Sequence, residues 1–303
     1  MPTPTPNDVA AQPWPVMILA HNEERHIEAC LDSLFLDPSN PKVEAYVMAN
    51  GCTDRTEALV HAYALRHPGA KVVSIKLGDK CNAWNVFVHE TVPQHCPGRP
   101  VYFFMDGDAT SVPGSLRAMA AALQAEPHAH AASEPPVTGR NGPEDRRKLL
   151  ELRDLVANLY ALRGSFMERL QQQQVRLPLK LEGDDGLLGA LIKWDLDPQK
   201  DQWDNQRVVP CADAGFAFQS MSLAEPQAWR AYWKRSVRYG RRLYEFDLLG
   251  QRLRKLGLAG LPADITQIYA DADTLKLRRN GLYTLTNWIA LRQMQRIGRG
   301  LPG

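Results

Sequence analysis

Val101-Tyr102-Phe103-Phe104-Met105-Asp106-Gly107-Asp108-Ala109-Thr110 carries five apolar residues straight into two carboxylates set one residue apart. Ser111-Val112-Pro113-Gly114 follows as a turn. An unbroken apolar run bounded by turn residues predicts a strand buried on both faces, as in a parallel sheet. Asp106 and Asp108 then stand at the strand's carboxyl end, where open α/β sheets take their ligands. Two carboxylates at such an edge suit a hard divalent cation whose other ligands are phosphate oxygens. The alternative is a plain surface turn, because Asp and Gly are common turn residues.

Upstream, the same unit repeats. Val16 to Ala20 reads as a buried strand ending in His21-Asn22-Glu23-Glu24, with helical spacing from Ile27 through Leu31 to Leu34. Val43 to Ala49 is a second strand, closed by Asn50-Gly51-Cys52-Thr53-Asp54, where Thr53 or Asp54 can cap a helix reaching about Arg66. Lys71 to Leu77 is a third, followed by Gly78-Asp79-Lys80 and a short helix across Ala83 to Glu90. Strand, polar turn and helix therefore recur three times before Asp106. That is the α/β pattern of a doubly wound, mostly parallel sheet flanked by helices.

Downstream the character changes. Ser115 to Gln124 is an Ala-rich helix, Ala129 to Ala132 a short strand, and Glu134 to Asp145 a Pro/Gly-punctuated loop that suits a lid. Leu149, Leu152, Val156, Leu159, Leu162, Phe166 and Leu170 advance by three or four, predicting one long amphipathic helix from Arg146 to Gln174. Glu182-Gly183-Asp184-Asp185-Gly186 opens another helix, Arg207 to Phe218 alternates as a strand, and Pro226 starts a helix with Trp229, Trp233, Val237, Gly240 and Tyr244 on one face. The two tryptophans read as core anchors rather than sugar platforms. Leu282 to Ile297 is amphipathic, free to pack on the domain, on a second subunit or on anionic lipid.

The bulk composition limits the function classes. A net charge of +2 does not by itself call for nucleic acid. The basic residues are nevertheless concentrated: Arg230 to Lys255 holds nine Lys/Arg against Glu245 and Asp247, and Lys276 to Arg299 holds six with no acid. Such a C-terminal third attracts phosphates, acidic lipid or an anionic acceptor, or is a solvated helix face. Cys30, Cys52, Cys81, Cys96 and Cys211 are odd in number and never spaced as CxxC, against a disulfide framework or zinc site and in favour of a reducing cytoplasm. The Pro-rich start lacks a signal-peptide core, and no apolar stretch reaches bilayer length.

Four pieces together resemble a family 2 glycosyltransferase of the GT-A fold, over about Pro15 to Arg242. Ile18 to Glu24 is similar to the family's opening strand and nucleotide-contacting turn. Val47 to Thr56 resembles its DDGSTDxT segment, with Ala49 and Asn50 in place of the two leading acids. Lys80, Ala83 and Asn85 match K-x-x-A-x-N, and Asp106-Gly107-Asp108 matches D-x-D. Asp184-Asp185-Gly186-Leu187-Leu188 is similar to E-D-x-x-L. Arg235, Arg238 and Tyr239 fall where Q-x-x-R-W is often found, with only the central Arg identical.

The resemblance implies transfer of a sugar from a nucleoside diphosphate sugar, UDP-sugar favoured, to an acceptor hydroxyl with inversion. The acceptor is expected to be a glycan, a small molecule or a lipid-linked intermediate of cell-surface polysaccharide or glycolipid synthesis. Mg²⁺ or Mn²⁺ on Asp106 and Asp108 neutralises the departing diphosphate. Asp185 is the base, with Asp184 as fallback. Ala20, His21, Asn22, Glu23, Asn50, Lys80, Asn85, Asp106, Gly107 and Arg238 line the donor. The implied organisation is a flexible arm (1–14), a GT-A domain (15–248, its nucleotide half to about 110), and a basic helical extension (249–303). A cytoplasmic protein, peripheral at the inner membrane face, is expected. Two rivals stand beside this: a sugar nucleotidyltransferase, which would want a Gly-rich basic loop after the first strand, and a non-catalytic nucleotide-sugar-binding module, against which the intact Asp106, Asp108 and Asp185 argue.

Overall fold

The computed structural model describes residues 12–138, 142–200, 202–218 and 226–302. Its first half follows the predicted pattern: β1 (Trp14–Ala20), α1 (Ile27–Phe35), β2 (Val43–Asn50), α2 (Thr56–Ala64), β3 (Ala70–Ile75), α3 (Lys80–Val86) and β4 (Val101–Asp106). β1 starts at Trp14, so any arm ends earlier than expected; residues 1–11 lie outside the described chain. After α3 the helix continues through a π turn, Phe87–Thr91, and a last α turn, Val92–His95. Registers Ala20↔Ala49, Asn50↔Ile75 and Leu19↔Asp106 make the four parallel strands finish level. One sheet edge therefore gathers the turns at 20–23, 50–54, 76–80 and 106–108.

The second half adds β5 (Ala109–Ser111), α4 (Ser115–Ala125), β6 (Ala131–Ser133), α5 (Gly142–Leu152), β7 (Leu159–Arg163), α6 (Gly164–Gln172) and α7 (Asp184–Lys193). It closes with β8 (Val208–Pro210), β9 (Phe216–Phe218), α8 (Pro226–Leu256) and α9 (Thr284–Gly298). The main sheet runs β3-β2-β1-β4-β7-β6-β8, with β7 alone antiparallel to its neighbours, while β5 and β9 form a small second sheet. Alternate residues of each strand feed opposite faces: Val16, Ile18, Phe103 and Met105 pack under α1, α2 and α4, whereas Met17, Tyr102 and Phe104 face α3, α6 and the C-terminal helices.

Several expectations need correction. The single helix from Arg146 to Gln174 is two helices around β7: α5 ends at Leu152, Arg153 takes a left-handed φ of 51°, and Leu159 to Arg163 pairs with Val101 to Met105. The strand from Arg207 to Phe218 is β8 and β9, placed in different sheets. Glu134 to Thr138 is not a free lid: Val137 N–H donates to Phe216 O, and Phe218 N–H donates to Thr138 Oγ1. Residues 139–141 of that loop are outside the described chain. Trp233 is 46% exposed instead of anchoring the core, and the side chain of Trp229 lies outside the described residues. The boundary expected at 248 falls inside α8, which runs unbroken to Leu256. α9 packs on the domain through Ala290, Leu291 and Met294.

Candidate active site

The turn after β1 is built for close approach. Asn22 adopts φ 59°, and its Oδ1 accepts from the amides of Thr53 and Asp54, so the β1 and β2 turns are laced together. Asp54 accepts from the Glu24 amide and from Thr56 N–H and Oγ1 at the start of α2, whose N-cap position is Arg55 rather than Thr53 or Asp54. His21, exposed, meets Asn50 O through Nδ1 at 2.6 Å. Cys52 donates its S–H to Ala20 O at 3.4 Å. Glu23 is held by His26 at 2.9 Å, and burial raises its carboxyl above the ordinary value.

Two residues expected in the donor pocket also have structural tasks. Asn50 is buried, and its Oδ1 accepts from the Asp79 amide, so it shapes the turn that delivers Lys80. Asn85 is buried 92 residues away from its partner in sequence: Nδ2 donates to Leu177 O at 2.8 Å and Oδ1 accepts from Leu177 N. A buried primary amide bonded through both its nitrogen and its oxygen fixes the extended segment before α7.

Asp106 ends β4 largely buried. Its Oδ1 lies 3.3 Å from Lys80 Nζ, and its Oδ2 accepts from Asn158 Nδ2 at 3.2 Å. Burial pushes the Asp106 carboxyl up to about 6, against the pull of Lys80. Gly107 is forced by contact: a Cβ there would sit 2.9 Å from Leu19 O, whose carbonyl already accepts the Gly107 amide. That contact swings Asp108 out to an exposed position. Among the described residues no three His, Cys, Asp or Glu side chains converge as a metal cage. One exposed and one partly engaged carboxylate fit a cation that takes most of its ligands from phosphates and water, with Asp108 the freer ligand.

Lys80 is the hinge of the cluster. It lies 3.4 Å from Asp184 Oδ2 as well as 3.3 Å from Asp106. Burial pulls its ammonium down, yet Asp106 and Asp184 together lift it above the ordinary lysine value. The two acids of α7 thus part company. Asp184 turns towards Lys80 and the sheet. Asp185 turns towards α8, where its Oδ1 meets Arg242 at 3.0 Å and its own helix's Gly186 amide at 2.8 Å. Burial, then Asp184, raises the Asp185 carboxyl, while Arg242 and Lys80 oppose the rise. Arg242 also stacks over Phe246 at 5.3 Å. A cavity of about 730 Å³ opens from Asp185, bordered by Gly186, Arg242, Phe246, Trp203 and Arg254.

Residues 16–181 match the glycosyl transferase family 2 model, more than half of the 303 residues. The chain belongs to glycosyl transferase family 2. Among solved structures, the mannosyltransferase PcManGT from Pyrobaculum calidifontis, in complex with GDP-Man and Mn²⁺, is similar over 97% of this chain and 87% of its own, at 18% identity and a TM-score of 0.55. Glucosyl-3-phosphoglycerate synthase from Mycobacterium tuberculosis, in complex with Mn²⁺, UDP and glucosyl-3-phosphoglycerate, is similar over 80% and 83%, at 18% identity and a TM-score of 0.52. These likenesses are of fold, and the fold is GT-A. No curated protein matches the chain by sequence.

In this family 2 glycosyltransferase the structure brings together Ala20 to Glu23, Asn50, Lys80, Asp106, Gly107, Asp108 and Asp184, with Asp185 across the α7 terminus. Arg238 is exposed one helical turn before Arg242, and Arg242 is the arginine that reaches the acids. Sequence reasoning missed Arg242, Phe246 and Asn158. Arg238 and Arg242 share a helix face by their spacing of four, so the basic run pointed at the helix that carries Arg242. Asn158 gave no local signal, because it immediately precedes β7, a strand the helical spacing concealed.

Proposed function

We propose that this glycosyltransferase is a metal-dependent inverting enzyme that moves a hexose from a nucleoside diphosphate sugar to an acceptor hydroxyl. Asp185 serves as general base. The observation that carries the reading is the parting of Asp184 and Asp185: one acid closes against Lys80, and the other borders the cavity. Asp184 is thereby the weaker base candidate.

Asp108, with Asp106 beside it, would hold Mg²⁺ or Mn²⁺, which when bound would supply positive charge to the departing diphosphate. The similar mannosyltransferase and glucosyl-3-phosphoglycerate synthase structures hold Mn²⁺ with GDP-Man and with UDP, the same class of cofactor and donor. Lys80 locks Asp106 and Asp184 in place. Arg242 orients the Asp185 carboxylate and favours its ionised form. The acceptor hydroxyl gives its proton to Asp185, its oxygen bonds the sugar's anomeric carbon, and the bond to the diphosphate oxygen breaks with that electron pair. A single displacement of this kind inverts the configuration. The cavity past Asp185 receives the acceptor, a glycan or lipid-linked intermediate of surface polysaccharide or glycolipid synthesis. Residues 15–110 form the donor half and the chain from 111 the acceptor half. UDP-sugars are the favoured donors.

Incubation with Mn²⁺ and a panel of UDP- and GDP-sugars tests this. Release of nucleoside diphosphate supports transfer; release of pyrophosphate points to nucleotidyl transfer; binding without turnover points to a non-catalytic module. Asp108→Ala is expected to lose metal-dependent donor binding. Asp185→Asn is expected to keep that binding and lower kcat by 10²-fold or more. Full turnover by Asp185→Asn sinks the base assignment.

A further inference from the structure

Exposed aromatic rings are not scattered over this molecule. Of the six exposed among the described residues, five are Tyr232, Trp233, Tyr239, Tyr283 and Trp288, at the junction of α8 and α9. Each is about half exposed, and Leu243 and Leu285 join them at 41% and 54%. Exposed apolar and aromatic side chains gathered on two packed helices mark an interaction site.

The two helices present matched outward stripes. On α8, Tyr232, Arg235, Tyr239 and Leu243 are spaced by three, four and four; on α9, Leu285, Trp288, Arg292 and Arg296 repeat that spacing. The inward faces are already used, by Val237 and Tyr244 on α8 and by Ala290, Leu291 and Met294 on α9. Tyr232 and Tyr283 join the stripes through their hydroxyls at 3.4 Å. Cations lie on the rings: the Arg235 guanidinium is 5.4 Å from the Tyr239 ring and donates to its hydroxyl, and that of Arg292 is 5.9 Å from the Trp288 ring.

Charge decides the occupant. From 226 to 244 and from 276 to 299 the chain holds no Asp or Glu. A two-fold contact between copies of this face would oppose arginine to arginine, because a symmetric interface meets itself. Half-buried Trp and Tyr rings with Arg heads between them match the headgroup layer of an anionic bilayer, where amphipathic rings sit and basic side chains snorkel to phosphate. No described helix is long and apolar enough to cross a membrane, so the contact is on the surface. We propose that the α8–α9 face docks the protein on anionic lipid.

Sedimentation of the full chain with phosphatidylglycerol-containing vesicles, and with phosphatidylcholine vesicles alone, tests this without any donor or acceptor. The protein is expected to pellet with the anionic vesicles only, and less so in high salt. Trp288→Ala/Arg292→Glu is expected to weaken that partitioning about fivefold or more while leaving the melting temperature and any nucleotide-sugar binding unchanged, since both residues are exposed and outside the donor site. Equal pelleting with neutral vesicles, no pelleting, or a dimer by light scattering that the double variant dissolves would each overturn the proposal. Failure of the transfer reading leaves this result untouched, because lipid binding is read directly.

Discussion

Gly186 shows how tightly single positions set the geometry around Asp185. A Cβ built there would come within 2.2 Å of Phe246 Cζ, and α7 has no room to step back from α8. Gly186→Ala is expected to lower stability by about 1–3 kcal/mol through overpacking. It also separates Asp185 from Arg242, so turnover falls further than stability does. Adding Phe246→Leu removes the clashing ring end. If the double variant does not recover melting temperature relative to Gly186→Ala, the clash is not the cause. Arg242 belongs to the same scale: a helix turn is 3.6 residues, and only packing against α7 picks which arginine of the basic run meets Asp185. Asp106, Asp108 and Lys80 were legible because strand ends and short turns fix their place locally. The structural tasks of Asn50 and Asn85 were not legible, because their partners, Asp79 N–H and Leu177, are tertiary.

At the scale of elements, β7 explains most of what sequence reading lost. Leu159 and Leu162 are three apart and suit a helix, yet Leu159 to Leu162 are all buried against β4 and β6. A short strand buried on both faces has no alternation to betray it, and neighbouring strands decide its state. The segment after β6 carries a testable consequence. Glu134 is fully buried, and neither of its oxygens has a protein partner among the described residues. Burial pushes its carboxyl up to about 9. The unfolded chain ionises near 4.5, so between there and about 9 the folded state holds the extra proton and stability falls as pH rises. Near pH 7 that cost is on the order of 3 kcal/mol. Glu134→Gln is expected to flatten the decline in urea midpoint from about pH 5 to about pH 9. An unchanged slope assigns the proton to another group.

At the scale of the whole molecule, the C-terminal segment is part of the core that holds the acids. Glu245 of α8 is buried, and it accepts from the Glu182 amide just before Asp184 and from the hydroxyl of Tyr269. Asn287 and Ala290 of α9 lie against Gly240, Arg241 donates to Gln293, and Arg278 makes a two-pronged pair with Asp247. A chain cut after Leu256 would expose Val237, Tyr244 and Leu248 and leave the Glu245 carboxylate without Tyr269. Met294→Ala probes the same packing more gently, and is expected to cost about 2–5 kcal/mol because the side chain is wholly buried. Truncation removes that contact and many others, so the shortened chain should lose cooperative unfolding along with donor-dependent turnover. The composition gave no hint of this dependence, since a basic amphipathic helix reads the same whether it is packed or free. Should the truncated protein unfold cooperatively at the parent temperature and still turn over, the segment is an independent extension, and Glu245 is satisfied without it.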